Sequence, residues 1–191
     1  MNAAVILAAG ESRRMGSPKA LLAYRGETFL DHLISTLSRS CAPVVVVLGA
    51  AAHEIRAGVR SAAEFIVNSE WPLGQTTSLQ CGLRAVPADV AGVLLALVDH
   101  PAVAPDTVEA LLHGRPDALV RVPRYDGRRG HPVWFSRALI GEFLALPQYA
   151  AARDVVRAHV PQTEFLDVGD PGVLADIDDP EAYRALMGAE Q

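Results

Sequence analysis

Runs of consecutive apolar residues alternate with amphipathic stretches over the first two-thirds of the chain. Ala3 to Ala8 is a continuous apolar run and reads as a buried strand. Glu27 to Ser40 places Phe29, Leu30, Leu33, Ile34 and Leu37 on one helical face. Pro43 to Leu48 is a β-branched run and a second strand, followed by a short helix over His53 to Val59. Glu64 to Val67 is a third strand, with a loop through Pro72 and Gly74 and a helix over Thr76 to Ala85. Gly92 to Val98 is a buried strand ending on Asp99-His100-Pro101. Pro105 to Leu112 is a helix opened by proline, and Ala118 to Val122 a further strand.

Continuous apolar strands separated by helices predict a mostly parallel sheet covered on both faces, a Rossmann-like three-layer α/β/α domain. The pattern then changes. Tyr125 to Gly130 is a turn and Pro132 to Phe135 a short strand. The last third carries two helical stretches, a short strand near Phe165, and Asp176-Ile177-Asp178-Asp179-Pro180. No internal repeat, linker or low-complexity segment interrupts it, so residues 1–191 are expected to form one domain.

Composition narrows the function classes. With 50% hydrophobic and 20% charged residues, the chain has material for a sizeable core and is not of the disordered class. A net charge of −5 argues against a nucleic-acid partner, whereas a small anionic ligand needs only a few local cations. No apolar run approaches the ~18–20 residues of a membrane span, and the apolar Asn2–Ala9 lacks the basic flank of a secretion signal. Cys41 and Cys81 have no metal-type spacing, which fits a reducing, cytoplasmic setting. Basic residues comprise sixteen arginines and one lysine, Lys19.

That lysine closes the most motif-like segment, Leu7-Ala8-Ala9-Gly10-Glu11-Ser12-Arg13-Arg14-Met15-Gly16-Ser17-Pro18-Lys19. A strand feeds a loop of small residues whose backbone N–H groups can approach an anion closely, and Arg13, Arg14 and Lys19 add the charge a triphosphate needs. The glycine spacing fits neither a Walker A loop nor a Gly-x-Gly-x-x-Gly dinucleotide loop. The plainer alternative is a strand-to-loop turn with incidental arginines.

The segment resembles the Leu-Ala-Ala-Gly-x-Ser-x-Arg-Met-Gly-x-x-Lys signature of nucleotidyltransferases with a glycosyltransferase-A-like fold, the nucleotide-diphospho-sugar transferase type. Within that group it is most similar to molybdenum cofactor cytidylyltransferase and the MobA-like proteins. The resemblance continues through Trp71–Leu83, Leu97–Pro101, Gly130–Phe135 and Asp176–Glu181.

Asp99 closes a buried strand at the carboxyl edge, where open α/β sheets place ligands, and a carboxylate there can hold Mg²⁺ against phosphate oxygens. A turn or capping aspartate is the alternative. The resemblance implies a second metal ligand in the C-terminal motif, which Asp178 matches better than Asp176; Asp179 reads as the cap of the last helix, with Pro180 at its first position. The segment Gly74 to Gly82 resembles the base- and ribose-reading segment, with Ser78 as hydroxyl and Gly82 allowing close approach if it faces the ligand. Alternatively, Thr76, Thr77 and Ser78 cap a helix. His131 lies in a Gly-His-Pro turn that the resemblance places toward the acceptor; a structural role is equally open. His100 has no assigned role, and Arg128 and Arg129 read as a solvated turn, with bidentate binding of an acceptor phosphate as the alternative.

The resemblance implies Mg²⁺-dependent transfer of a nucleoside monophosphate from an NTP to a phosphorylated acceptor such as molybdopterin, with release of pyrophosphate. Asp99 and Asp178 would position the metal. Lys19, Arg13 and Arg14 would bind the triphosphate, and the Leu7-Ala8-Ala9-Gly10 backbone the nucleotide. Residues from roughly 120 to 191 would form the acceptor side. Ala9, at the position that is glycine in guanylyltransferases, favours CTP. The Gly-Asp-x-Gly-Ala-Arg stretch of cytidylyltransferases is replaced by Leu146-Pro147-Gln148-Tyr149-Ala150-Ala151-Ala152-Arg153, which leaves the acceptor open. A molybdoenzyme is the protein partner a cofactor enzyme would serve. Rival readings are a sugar-phosphate nucleotidyltransferase and a non-catalytic nucleotide- or cofactor-binding module; a redox enzyme is disfavoured by the missing fingerprint.

Overall fold

The computed structural model describes residues 1–188. In chain order the elements are β1 (Asn2–Ala8), β2 (Ala23–Tyr24), β3 (Glu27–Thr28), α1 (Phe29–Leu37), β4 (Val44–Leu48), α2 (Ala52–Gly58), β5 (Glu64–Val67), α3 (Gln75–Ala85), β6 (Gly92–Leu97), α4 (Pro105–Leu112), β7 (Val120–Tyr125), β8 (Arg128–Arg129), β9 (Val133–Ser136), α5 (Ile140–Ala145), α6 (Ala152–Ala158), β10 (Thr163–Asp167) and α7 (Pro180–Gly188).

The main sheet runs β10-β7-β9-β6-β1-β4-β5, with β8 paired to β7. It is mostly parallel. β1 lies between β4 and β6, with Leu7 opposite Val47 on one side and Leu97 on the other. The antiparallel exceptions are β9, inserted between β6 and β7, and the short β8 on β7. The apolar runs alternate their side chains across the sheet, which produces two cores. Ala4, Ile6, Val46 and Leu94 face α1 and α4 on one side, through Leu30, Leu33, Leu37, Val108 and Leu111. Val5, Val45, Val47 and Leu95 face α3, α5 and α6 on the other, through Leu79, Leu83, Phe143 and Val155. Each fully buried side chain of this kind contributes about 1.5–3 kcal/mol.

Three local features depart from the sequence expectation. The helix expected from Glu27 begins at Phe29, because Glu27 and Thr28 pair with Ala23 and Tyr24 in a hairpin turned by Arg25 and Gly26. Thr28 then caps α1, its hydroxyl accepting from Asp31 N at 3.0 Å. The last third holds three helices rather than two, since Leu146–Ala151 separates α5 from α6. Thr76, Thr77 and Ser78 do not cap α3: the cap position is Gly74, and Thr77 Oγ1 donates to the Gly74 carbonyl instead.

The C-terminal helix returns to the hairpin. Asp179 Oδ1 accepts from Glu181 N and Ala182 N at 3.0 and 2.9 Å, capping α7 as expected. Tyr183 and Leu186 pack against Tyr24, Phe29 and Ile177. No described helix is long and apolar enough to cross a membrane.

Candidate functional site

β1 and β6 are adjacent and parallel, so the residues following them emerge side by side at the carboxyl edge of the sheet. Val98 N donates to Leu7 O at 3.1 Å, and Ala9 and Asp99 lie just beyond. The chain then folds back on itself. Ser12 adopts φ +54°, its Oγ accepts from Lys19 N at 3.0 Å, and Met15 N donates to its carbonyl. These bonds fix where Lys19 leaves the loop. Its side chain, 11% exposed, points back across the edge of the sheet.

Lys19 Nζ lies 2.5 Å from Asp178 Oδ1 and 3.4 Å from Asp99 Oδ2. Asp178 reaches this point because Ile177 N donates to Asp99 O at 2.8 Å, stitching the C-terminal segment to the end of β6, while the Ile177 side chain is buried. Arg14 contacts the other oxygen of Asp178 at 3.2 Å, and Arg13 turns to Glu11. The Lys19 hydrogen bond holds the Asp178 carboxyl below its usual range. Asp176 is pushed the other way, by burial first and then by the charges of Asp99 and Asp178.

These groups line one side of a cleft of about 510 Å³. The opposite wall is Trp71, Pro72, Gly74, Gln75 and Ser78, at the N-terminus of α3. Asn68, buried after β5, holds that wall. Its Nδ2 donates to Thr77 Oγ1 at 2.9 Å and Ser78 Oγ at 3.0 Å. Gly49 makes room between the walls: a Cβ there would lie 2.4 Å from Ala9 O and 2.8 Å from Trp71 Cγ. Asn68 and Gly49 escaped the sequence reading, while Trp71 and Gln75 lay in the Trp71–Leu83 stretch without a role of their own. Asn68 follows β5 directly and Gly49 follows β4 directly, so the strand-end rule that picked Asp99 applies equally to them.

Of the residues singled out from sequence, Leu7, Ala8, Ala9, Gly10, Arg13, Arg14, Lys19, Gly74, Ser78, Asp99 and Asp178 all line the cleft. Gly82 does not. It faces the sheet, where a Cβ would lie 2.6 Å from Val5 Cγ1 and 3.0 Å from Val47 Cγ2, so its role is close helix–sheet packing. His131 is also outside the cleft lining. Its N–H donates to Val173 O at 2.9 Å and its ring packs 5.0 Å from that of His100, next to Asp99. Burial drives the His131 imidazole down to about 4, with His100 contributing, and burial lowers His100 as well.

A sheet of this order, with a basic loop after its first strand and carboxylates at its carboxyl edge, defines an α/β nucleotide-handling protein. Residues 4–163 match the MobA-like NTP transferase domain, and the chain belongs to that family of nucleotidyltransferases. It is 32% identical to nicotine blue oxidoreductase of Paenarthrobacter nicotinovorans, over 96% of this chain and 95% of the relative. It is 25% identical to molybdenum cofactor cytidylyltransferase of Escherichia coli, over 94% and 92%. It is 36% identical to molybdenum cofactor guanylyltransferase of Sinorhizobium fredii, over 58% and 51%. Among solved structures, Rv0371c of Mycobacterium tuberculosis superposes with a TM-score of 0.86 at 32% identity, covering 98% of this chain and 97% of that one. A manganese complex of the same protein superposes at 0.82, with 30% identity and 98% of each chain covered.

Proposed function

We propose that the protein transfers a nucleoside monophosphate, CMP from CTP in the favoured reading, onto a phosphorylated acceptor of the molybdopterin or molybdenum-cofactor type. The observation that carries the reading is Lys19, held between Asp99 and Asp178 at the mouth of a strand-edge cleft. An acceptor phosphate oxygen attacks the α-phosphorus; the bond from the α-phosphorus to its bridging oxygen breaks, and pyrophosphate leaves with the electron pair. No protein nucleophile is required, only alignment and neutralisation of negative charge.

The donor site fits a divalent cation. Lys19 Nζ already stands in for one between two carboxylates drawn from opposite ends of the chain. Asp99 and Asp178 would hold the ion, Mg²⁺ in the favoured reading, which when bound lowers the repulsion between triphosphate and attacking anion. Lys19 then exchanges its carboxylate partners for the leaving phosphates. Arg13 and Arg14 sit at the same rim, each on a carboxylate that a phosphate can replace. Ala8, Ala9 and Gly10 line the nucleotide side, with Trp71 and the first turn of α3 opposite. Residues from about 120 onward supply the acceptor side and, through Asp178, the second metal ligand.

Base choice rests on Ala9. Gly49 lies against Ala9, and any side chain at 49 would collide with both Ala9 and Trp71, so this stretch of the cleft wall is closely packed. Relatives named as cytidylyl- and guanylyltransferases both occur, which makes the base the finer question. The test is a thermal-shift panel of CTP, GTP and ATP with and without Mg²⁺, followed by pyrophosphate release with molybdopterin, molybdenum cofactor and sugar phosphates as acceptors. A divalent-enhanced shift with CTP and turnover on the pterin acceptors is expected. Turnover on sugar phosphates alone would reassign the acceptor. No shift with any NTP at millimolar concentration would overturn the reading in favour of a binding module. A redox assay with nicotine blue, run alongside, covers the chemistry named for that relative.

A further inference from the structure

Asp99 presents its two oxygens in different directions. Oδ2 faces Lys19 and the nucleotide cleft; Oδ1 is buried and has no hydrogen-bond partner among the described residues. Four such partnerless buried side-chain atoms occur among the described residues. Three of them, Asp99 Oδ1, His100 Nδ1 and His131 Nδ1, belong to side chains gathered behind the cleft. A buried acceptor left without a partner costs about 1–3 kcal/mol. A cluster of them marks a place built for something that supplies the missing bonds.

Ligand atoms from Asp99, His100 and Asp176 lie within 4.8 Å of one another. A common ion ~2.1–2.2 Å from each would place its ligand atoms ~3.0–3.6 Å apart, so the three side chains would draw together by up to ~1–2 Å on binding. The backbone holds the set in place. His100 N donates to Leu97 O, and Ile177 N ties the Asp176 segment to the Asp99 carbonyl. His100 Nδ1 has no hydrogen-bond partner among the described residues, so this ring nitrogen is free to bind an ion.

We infer that Asp99, His100 and Asp176 form a second divalent-cation site, behind the nucleotide cleft and sharing Asp99 with it, and that its imidazole makes it select a first-row transition metal such as Mn²⁺ or Zn²⁺ over Mg²⁺. Hard oxygen ligands suit Mg²⁺, whereas imidazole suits the transition metals. The His131 ring, 5.0 Å from that of His100, closes the far side. The site is distinct from the Asp99–Asp178 pair, which Lys19 bridges. It needs no nucleotide, so its test is independent of the transfer reaction.

The experiment titrates metal-free full-length protein with Mn²⁺, Zn²⁺ and Mg²⁺ without nucleotide, by calorimetry, and records pulsed EPR of the Mn²⁺ form. One tight ion per chain is expected, bound at least about tenfold more strongly for Mn²⁺ or Zn²⁺ than for Mg²⁺, with ¹⁴N coupling from a directly bound imidazole. His100→Gln and Asp176→Asn should each weaken Mn²⁺ binding by about 10–100-fold. His100→Gln should also abolish the ¹⁴N coupling, while Asp178→Asn leaves both within about twofold. Circular dichroism melting confirms that the variants are folded; should His100→Gln not fold, Asp176→Asn with the wild-type EPR spectrum decides. Absence of ¹⁴N coupling, or equal Mg²⁺ and Mn²⁺ affinity lost in Asp178→Asn, would overturn the inference. A positive result with no NTP turnover would leave this site standing and remove the transfer reading.

Discussion

Lys19 and Asp178 are 159 positions apart in sequence and 2.5 Å apart in the fold. The contact joins the basic loop after the first strand to the acidic segment before the last helix, with Asp99 at 3.4 Å completing the triangle. One ammonium therefore offsets two carboxylates, and Arg14 adds a second cation on Asp178. The free protein pairs these charges internally, and under the proposed function an incoming triphosphate would exchange partners within the cluster.

Replacement of Lys19 by alanine removes the internal counter-charge of Asp99 and Asp178 and, under the proposed function, the triphosphate contact. The kcat/KM for NTP is expected to fall at least about a hundredfold, or roughly 3 kcal/mol of transition-state stabilisation. In the same variant, Asp99 and Asp178 face each other without the ammonium. The melting-temperature rise caused by Mg²⁺ or Mn²⁺ alone should therefore exceed that of the wild type. Steady-state pyrophosphate release and thermal melting check the two halves separately. An unchanged kcat/KM would take Lys19 out of the donor site.

Much of the fold was legible because its strands are continuous apolar runs bounded by turn residues. Ala3–Ala8 and Pro43–Leu48 could hardly be anything but buried strands, and β1 and β4 follow them closely. The β2–β3 hairpin was not legible. Its strands are two residues each, and Glu27 and Thr28 sit one turn ahead of a strong helical face that absorbs them into its pattern. The strand-end rule picked out Asp99. The Lys19–Asp178 contact was beyond it, because that contact depends on a backbone bond between Ile177 and Asp99, and no side-chain pattern encodes such a bond.

Gly82 shows where sequence reasoning fails for a physical reason. A helix glycine that admits a ligand and one that admits a neighbouring strand look alike in sequence. Here Val5 and Val47 occupy the space. Gly82→Val should lower unfolding free energy by about 1–3 kcal/mol through overpacking, with the KM for NTP within about twofold of wild type. Denaturant melts and initial-rate kinetics on one preparation provide the check. A tenfold rise in KM with an unchanged melt would instead put Gly82 against the nucleotide.

A pH-dependent link lies away from the cleft. His159 Nε2 contacts Glu142 at 2.9 Å and its Nδ1 contacts Gln162 Oε1 at 3.1 Å, so both ring nitrogens face acceptors. The Glu142 hydrogen bond, then that of Gln162, raises the imidazole above its ordinary value. A raised folded value means that the folded state binds the proton more tightly. The stabilisation is thus fully present below the unfolded value near 6.5 and is lost as pH climbs through the folded one. His159→Gln should cost about 0.2–1 kcal/mol in urea unfolding at pH 5.5 and nothing at pH 9. A cost independent of pH would assign the contact to packing alone.

Arg121 is a buried arginine on β7, one strand in from the edge of the sheet, and its partners explain it. Nη1 donates to the carbonyls of Leu111 and Leu112 and Nη2 to that of Arg115, at 2.8–3.0 Å, satisfying the C-terminal end of α4. The guanidinium stacks 4.0 Å over Trp134, and Glu164 lies 3.6 Å from Nε. Arg121→Met leaves three carbonyls unpaired and the Glu164 charge without its cation, so a loss of about 3–5 kcal/mol is expected. Arg121→Lys should recover little, because a single ammonium cannot reproduce the planar fork that reaches three carbonyls and stacks on an indole. Adding Glu164→Gln to Arg121→Met should return part of the loss by removing the stranded charge. Chemical denaturation of the four proteins measures the cycle. Additive single and double effects would show that the carbonyl caps, and not the charge pair, carry the stability of this end of the sheet.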